Sequence, residues 1–144
     1  MKSFPILAVF ATLAFAQYTG PKTVYILPMA AGLDQYVAEW LTKNHVMQVV
    51  VDPKLAEVVM TDGIGETFEQ KMQQILPNSD KKSDNATHNE FHSTRVRGTI
   101  FLVDAKSHQV LWSDYQKPPS SNSDYDLNRT AEEIARKISG PSRK

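Results

Sequence analysis

Residues 94–115 read TRVRGTIFLVDAKSHQVLWSDY. The first part, 94–104, is rich in β-branched and aromatic side chains and predicts the longest strand of the chain. Residues 109–115 have the same character, and only residues 105–108 separate the two runs. A connection of this length between two such runs is typical of a β-hairpin. The carboxy-terminal half of the sheet is therefore predicted to be antiparallel.

Three helices are predicted around this hairpin from apolar residues at helical spacing. The second follows the Gly63-Ile64-Gly65 turn and ends before Pro77, and the third begins near Asp126 as its N-cap and ends at Gly140. Their apolar faces consist of Leu33, Tyr36, Val37, Trp40 and Leu41; of Phe68, Met72, Ile75 and Leu76; and of Leu127, Ala131, Ile134, Ala135 and Ile138.

Three further strands are predicted at residues 23–27, 48–51 and 57–61. Three consecutive valines at 49–51 are typical of a strand that is covered on both faces. Residues 52–56 leave room for a single helical turn, with Asp52 as its N-cap, and are too few for a helical crossover between parallel neighbours. The second and third strands are therefore expected to be antiparallel or not adjacent.

The predicted order is βαββαββα. Three helices and about five strands predict a two-layer α/β or α+β sandwich with a mixed sheet. The chain has 16 basic and 16 acidic residues. A nucleic-acid-binding domain normally carries a basic face, which this balance does not favour.

The amino terminus predicts export. Lys2 precedes an uncharged apolar run over residues 4–15, and Ala14-Phe15-Ala16 supplies the small–x–small pattern of a signal-peptidase site. Residues 1–16 are therefore expected to be a cleaved signal peptide, with residues 17–144 as one domain that begins at Gln17. The chain has no cysteine for lipid attachment. We expect a soluble periplasmic or extracellular protein without a stable membrane anchor.

Residues 77–93 are strongly polar and predict a disordered loop, although a loop of this length can also be functional. Within it, His88 and His92 are four residues apart with Glu90 between them. The same spacing on a helix would suit zinc, but a flexible pair has no fixed ligand geometry. No metal site is predicted.

Several carboxylates lie near the ends of predicted elements, where acid–base pairs can be built: Asp34, Asp62, Glu66 and Asp104. Asp34 is expected in the first turn of its helix and Asp104 at the hairpin corner, which are ordinary capping and turn positions. The Gly63-x-Gly65 pattern lacks the further glycine and the lysine of phosphate-binding loops. No catalytic residue and no cofactor are predicted.

Trp112 and Tyr115 suggest two interpretations, an exposed aromatic recognition strip or part of the core. Strand alternation predicts that Val110 and Trp112 share one face while Leu111 points to the other. We favour a core position for Trp112, and a core position for Trp40 more strongly.

Residues 98–104 and 110–113, with residues 56–62, resemble a group of bacterial envelope domains. The group includes the curli-secretion lipoprotein, the penicillin-binding-protein activator lipoproteins and the amino-terminal domain of the Tol-system propeller protein. In these domains a "Leu-Val-Asp" strand turns into a "Val-Leu-Trp-Ser" strand before a final helix. The resemblance implies a non-enzymatic domain that binds another envelope protein, but this chain lacks the anchoring cysteine of the lipoproteins.

The leading hypothesis is therefore an exported accessory or protein-interaction domain of the bacterial envelope. A secreted small-ligand or metal-binding protein that uses residues 77–93 as a lid is the alternative. A hydrolase with an unrecognised site is the third hypothesis.

Overall fold

A computed structural model describes residues 20–76 and 98–140. Three sequence predictions lie outside the described residues: the signal peptide at 1–16, the polar loop at 77–93, and the histidines within that loop. The predicted strand segment 94–97 lies outside them as well.

The described chain forms five strands and three helices in the predicted order. Asp52 accepts a hydrogen bond from the Lys54 N–H at 2.9 Å and caps the single turn predicted between the second and third strands. The elements are β1 (Thr23–Ile26), α1 (Leu33–Lys43), β2 (Gln48–Val49), β3 (Val58–Thr61), α2 (Glu66–Ile75), β4 (Thr99–Asp104), β5 (Val110–Tyr115) and α3 (Asp124–Ile138), with short 3-10 turns at Ala30–Gly32 and Pro53–Leu55.

The five strands form one mixed sheet in the order β2-β1-β3-β4-β5. β1 is parallel to both of its neighbours, whereas β3, β4 and β5 are antiparallel in turn. β1 thus separates β2 from β3, which satisfies the constraint set by the short 52–56 connection. The mixed five-stranded sheet, the antiparallel hairpin and the α+β class are confirmed.

The valine run at 49–51 does not form the doubly covered strand that was predicted. Only Gln48 and Val49 pair with β1, and Val51 is 94% exposed. The Val50 N–H makes the last bond to this neighbour, on the Val24 carbonyl, before Pro53 begins the next turn. β2 is therefore a short edge strand, because the chain turns away from the sheet as soon as the valines begin.

Helices α1 and α3 cover one face of the sheet and build the larger core. The apolar side chains of both helices meet alternate residues of β1, β3 and β4. This cluster of buried residues is Val24, Met29, Leu33, Val37, Leu41, Met47, Val58, Met60, Ile100, Leu102, Leu127, Ala131, Ile134 and Ala135. Trp40 and Trp112 pack against it and are partly buried.

Helix α2 covers the opposite face. Phe68 and Met72 of this helix pack with Val59, Val103 and Leu27. The first two alternate with strand residues of the larger core, and Leu27 directly follows β1. The α1/α3 layer and the sheet make up the predicted sandwich, and α2 adds a partial third layer. Helical periodicity shows which side of a helix is apolar but not which face of a sheet it covers.

Helix α3 begins earlier than predicted. Its N-cap is Ser123, whose hydroxyl accepts a hydrogen bond from the Asp126 N–H at 3.2 Å. Asp126 is therefore inside the first turn instead of capping it, and its carboxylate accepts bonds from the Ser121 and Ser120 hydroxyls. These bonds, the Ser121 contact foremost, hold the pKa of the Asp126 carboxyl below its usual range.

Candidate functional site

The predicted carboxylates Asp34 and Asp62 lie on either side of one loop. The Met29 N–H donates to Asp34 at 3.0 Å, and the Ala30 N–H donates to Asp62 at 3.3 Å. Both carboxylates thus hold the backbone that leads into the left-handed residue Ala31 (φ 57°). Asp34 lies in the first turn of α1, as predicted, but neither carboxylate caps that helix, and both bind the loop before it.

Asp104 lies at the opposite end of the sheet, where it pairs with Val58 at the start of β3. Its carboxylate accepts the N–H groups of Lys106 and Ser107 at 2.9 and 2.7 Å. These donors, led by Ser107, lower the pKa of the Asp104 carboxyl. The contacts are those of the turn residue predicted at the hairpin corner, and they place Asp104 far along the sheet from the loop that Asp34 holds.

The Gly63–Gly65 turn starts α2. Gly65 occupies the N-cap position with a φ of 90°, a conformation that favours glycine. Glu66, in the first turn, accepts a hydrogen bond from the Gln70 side chain at 3.2 Å. These contacts match the helix-start interpretation of this segment.

A β-bulge decides the orientation of the side chains of β5. Trp112 pairs with Leu102 and Val110 with Val103, so Leu111 is an extra residue. Leu102 and Val103 point to opposite faces of the sheet, and their partners do too. The prediction that Val110 and Trp112 share a face is therefore wrong, because the inserted residue reverses the alternation.

The bulge produces an exposed apolar surface along β5. Val110 and Tyr115 share the α2 face of the sheet because their partners, Val103 and Thr99, are four residues apart on β4. Val110 is 46% exposed, Leu111 52% and Tyr115 67%. Trp112 points to the other face and contacts the larger core, as favoured above.

β5 is also an edge strand. Within the described ranges no strand pairs with its outer side. On the α3 face, Asp114 accepts a hydrogen bond from Lys137 at 2.8 Å, which neutralises the charge of the strand and raises the pKa of that lysine. We call the outer side of Val110–Tyr115 the β5 edge.

The two edges of the sheet differ in what they offer a partner. β2 pairs over two residues and is followed by Pro53, and proline is one of the devices that block strand addition. The β5 edge is six residues long and carries neither proline nor lysine. It has a bulge and the charged Asp114 within its length, and Pro118 and Pro119 follow it, so its length is what distinguishes it from β2.

The second candidate surface is a groove that lies where β1 begins and α1 and α3 end. It is an open groove of about 920 Å³. We call it the terminal groove. Buried side chains of Met47 and Leu102 are part of its lining, with Trp112 beside them. Its remaining lining residues are Gly20, Pro21, Lys22, Thr42, Asn44, His45, Val46, Gln48, Val49, Leu111, Ile138 and Ser139.

Comparison with protein-family models, curated proteins and solved structures finds no match to this chain. In the described part of the chain, no three His, Cys, Asp or Glu side chains are grouped so that they could hold a metal ion. No helix within the same residues has the length and apolar character needed to cross a membrane.

Proposed function

We propose that this chain is an exported, non-enzymatic interaction domain of the bacterial envelope, and that its partner protein adds an extended segment to the β5 edge. The observation that carries the proposal is an open edge with three exposed apolar side chains. An edge strand presents N–H and C=O groups that another strand can satisfy, which is the basis of β-strand addition.

The exposed side chains make this edge favour a partner segment with apolar side chains. Val110 and Tyr115 point to the same face, so a paired segment places its own side chains beside them at alternate positions. Apolar and aromatic side chains on that face of the segment fit best. Asp114 adds little repulsion on the other face because Lys137 is bound to it.

Export supports the envelope location in this proposal. The apolar run at 4–15 and the Ala14-Phe15-Ala16 pattern indicate a signal peptide, and the resemblance of the hairpin is to envelope domains. Fractionation of the host should find a mature chain that starts at Gln17 in the soluble periplasmic or extracellular fraction. Recovery of the chain from washed membranes would contradict this location.

Site-specific photo-crosslinking in the host tests the interaction. A photo-crosslinking phenylalanine analogue at Tyr115 should give one dominant adduct with an envelope protein. The same analogue at Tyr125 is the matched control, because Tyr125 is 73% exposed but lies in the first turn of α3. No adduct from Tyr115, or the same adducts from both positions, would contradict binding at the β5 edge.

A charge placed on the edge tests the same contact without a crosslinker. Lysine on an edge strand opposes strand addition. Tyr115→Lys should therefore reduce the recovery of the partner in a pull-down by about tenfold, whereas Tyr125→Lys should leave it unchanged. Circular dichroism checks that both variants fold.

A further inference from the structure

We propose that the terminal groove binds a small amphiphile, an apolar chain that ends in a carboxylate. This binding site goes beyond protein interaction at the β5 edge, and its ligand belongs to another chemical class. The proposal rests on the shape of the groove, on the charges at its rim and on the backbone conformation of one rim residue.

The groove has the volume of a ligand site. Its volume of about 920 Å³ lies within the range of about 300–1,000 Å³ that is usual for small-molecule pockets. Met47 and Leu102 provide an apolar floor that is almost inaccessible to solvent, and Trp112 and Ile138 extend it. A linear hydrocarbon chain suits the partly exposed side chains of Trp112 and Ile138, because it removes their apolar surface from water without needing hydrogen bonds.

The charged residues that line the groove favour an anion. Lys22 and His45 belong to the described lining, and none of its members is Asp or Glu. The nearby Glu57 carboxylate is held by backbone N–H groups of Lys22 and Thr23, which lower its pKa. Glu57 is thus held mainly by the β1 backbone, and the charge of Lys22 also contributes to lowering its pKa. The donors that the groove lining offers a carboxylate are the His45 imidazole and the Lys22 ammonium, which it shares with Glu57.

His45 also has an unusual backbone conformation at the end of α1. The N–H groups of His45 and Val46 bond to the Thr42 and Leu41 carbonyls at 3.2 and 3.0 Å, which is the Schellman pattern at a helix end. His45 takes the left-handed position of this motif, with a φ of 52°. Glycine is preferred there because a Cβ is strained in this conformation.

Helix α3 of the same chain has glycine at the corresponding position. It ends with Gly140 in the left-handed conformation, at a φ of 80°. At the end of α1 the chain instead has an exposed imidazole that lines the groove. Ala31 and His108 share this conformation, but of the three only His45 is among the residues that line the groove. Strained residues are held by the surrounding structure and are frequent at ligand-binding sites. We assign His45 to binding of the carboxylate.

Quenching of tryptophan fluorescence tests the proposal. The chain has two tryptophans, and Trp40→Phe leaves Trp112, in the groove, as the only one. Titration with a brominated undecanoate should quench this fluorescence saturably, and the corresponding brominated alcohol should bind about tenfold more weakly because it lacks the charge. An unsaturable response, or equal binding of acid and alcohol, would overturn the proposal.

Variants at the rim separate binding from folding. In the Trp40→Phe background, His45→Gly should raise the melting temperature because glycine relieves the strain, while it weakens binding of the acid and not of the alcohol. Lys22→Ala should also weaken binding of the acid, whereas Lys54→Ala, which lies outside the groove lining, should not. A His45→Gly variant with higher stability and unchanged affinity would show that His45 does not bind the ligand and would overturn the assignment.

Discussion

At the scale of single residues, several carboxylates organise the backbone through N–H groups. Asp104 closes the β4–β5 turn through Lys106 and Ser107, and Glu57 fixes the start of β1 through Lys22 and Thr23. In both cases the donated hydrogen bonds favour the ionised form and lower the pKa of the carboxyl. Such contacts make the stability of the fold depend on pH.

Asp104→Asn is predicted to reduce the sensitivity of the fold to acid. The unfolded carboxyl has its ordinary pKa of 3.8, and the folded one is lower. The contribution of Asp104 is therefore fully present above the unfolded pKa and is lost as the pH falls through the folded pKa. Asparagine keeps an acceptor oxygen but does not titrate, so its melting temperature should fall less between neutral pH and about pH 2.

Asp52→Asn is the control for this measurement, since Asp52 accepts one backbone N–H in an exposed turn outside the hairpin. An unchanged acid response in Asp104→Asn would show that the hairpin corner does not contribute to acid unfolding.

The turn role of Asp104 could be predicted from sequence because an aspartate at a hairpin corner bonds N–H groups a few residues ahead of it. The N-cap of α3 could not be predicted from sequence. Residues 120–126 contain serines and aspartates in succession, and any of them suits an N-cap. The choice of Ser123 depends on where the larger core holds Leu127, which no local pattern specifies.

At the scale of elements, the two valine-rich strands differ in their surroundings. β3 lies in the middle of the sheet and each of its four residues is buried, whereas β2 is an edge strand of two residues. Both segments satisfy the same sequence pattern. Their difference arises from strand order, because β1 and β4 flank β3 on both sides.

Matched valine truncations test this difference. Val59→Ala removes two methyl groups from a fully buried site and should lower the free energy of unfolding by about 2 kcal/mol. Val51→Ala removes the same atoms from a side chain that is 94% exposed, and its effect should stay within about 0.5 kcal/mol. Denaturant unfolding of the two variants measures both values, and equal losses would contradict the edge position of β2.

The bulge in β5 changes the orientation of the side chains along this strand. It brings Val110 and Tyr115 to one face, although a regular strand would place residues five apart on opposite faces. Nothing in the run of residues 109–115 marks where the extra residue lies. The register is decided by packing of Trp112 against the larger core on one face and of Val103 against α2 on the other.

At the scale of the whole molecule, the described residues cover the two faces of the sheet unequally. Within residues 20–76 and 98–140, fourteen buried residues form the α1/α3 cluster and five form the α2 cluster. A hydrogen bond between His108 Nδ1 and the Glu69 carboxylate, at 2.8 Å, and the edge-to-face contact of His108 with Phe68 also join α2 to the hairpin. The Glu69 side chain is about half exposed, so its contact with His108 contributes little to stability.

The smaller cluster predicts that α2 opens more readily than the rest of the fold. Local opening costs less where fewer apolar contacts are broken. Native-state hydrogen exchange should therefore show lower protection for the amides of α2 than for those of α1 and α3. Equal protection of all three helices would indicate that the fold opens as a single unit.

The sequence by itself determined the elements of this protein. Hydrophobic periodicity, glycines and caps are local signals, and they specified three helices, the hairpin and the order βαββαββα. Tertiary structure alone decided that β1 separates β2 from β3, that α2 covers the second face, and that a bulge exposes Val110 beside Tyr115. These features arise because packing between distant segments fixes strand order and register, and a local pattern carries no information on which distant segment it meets.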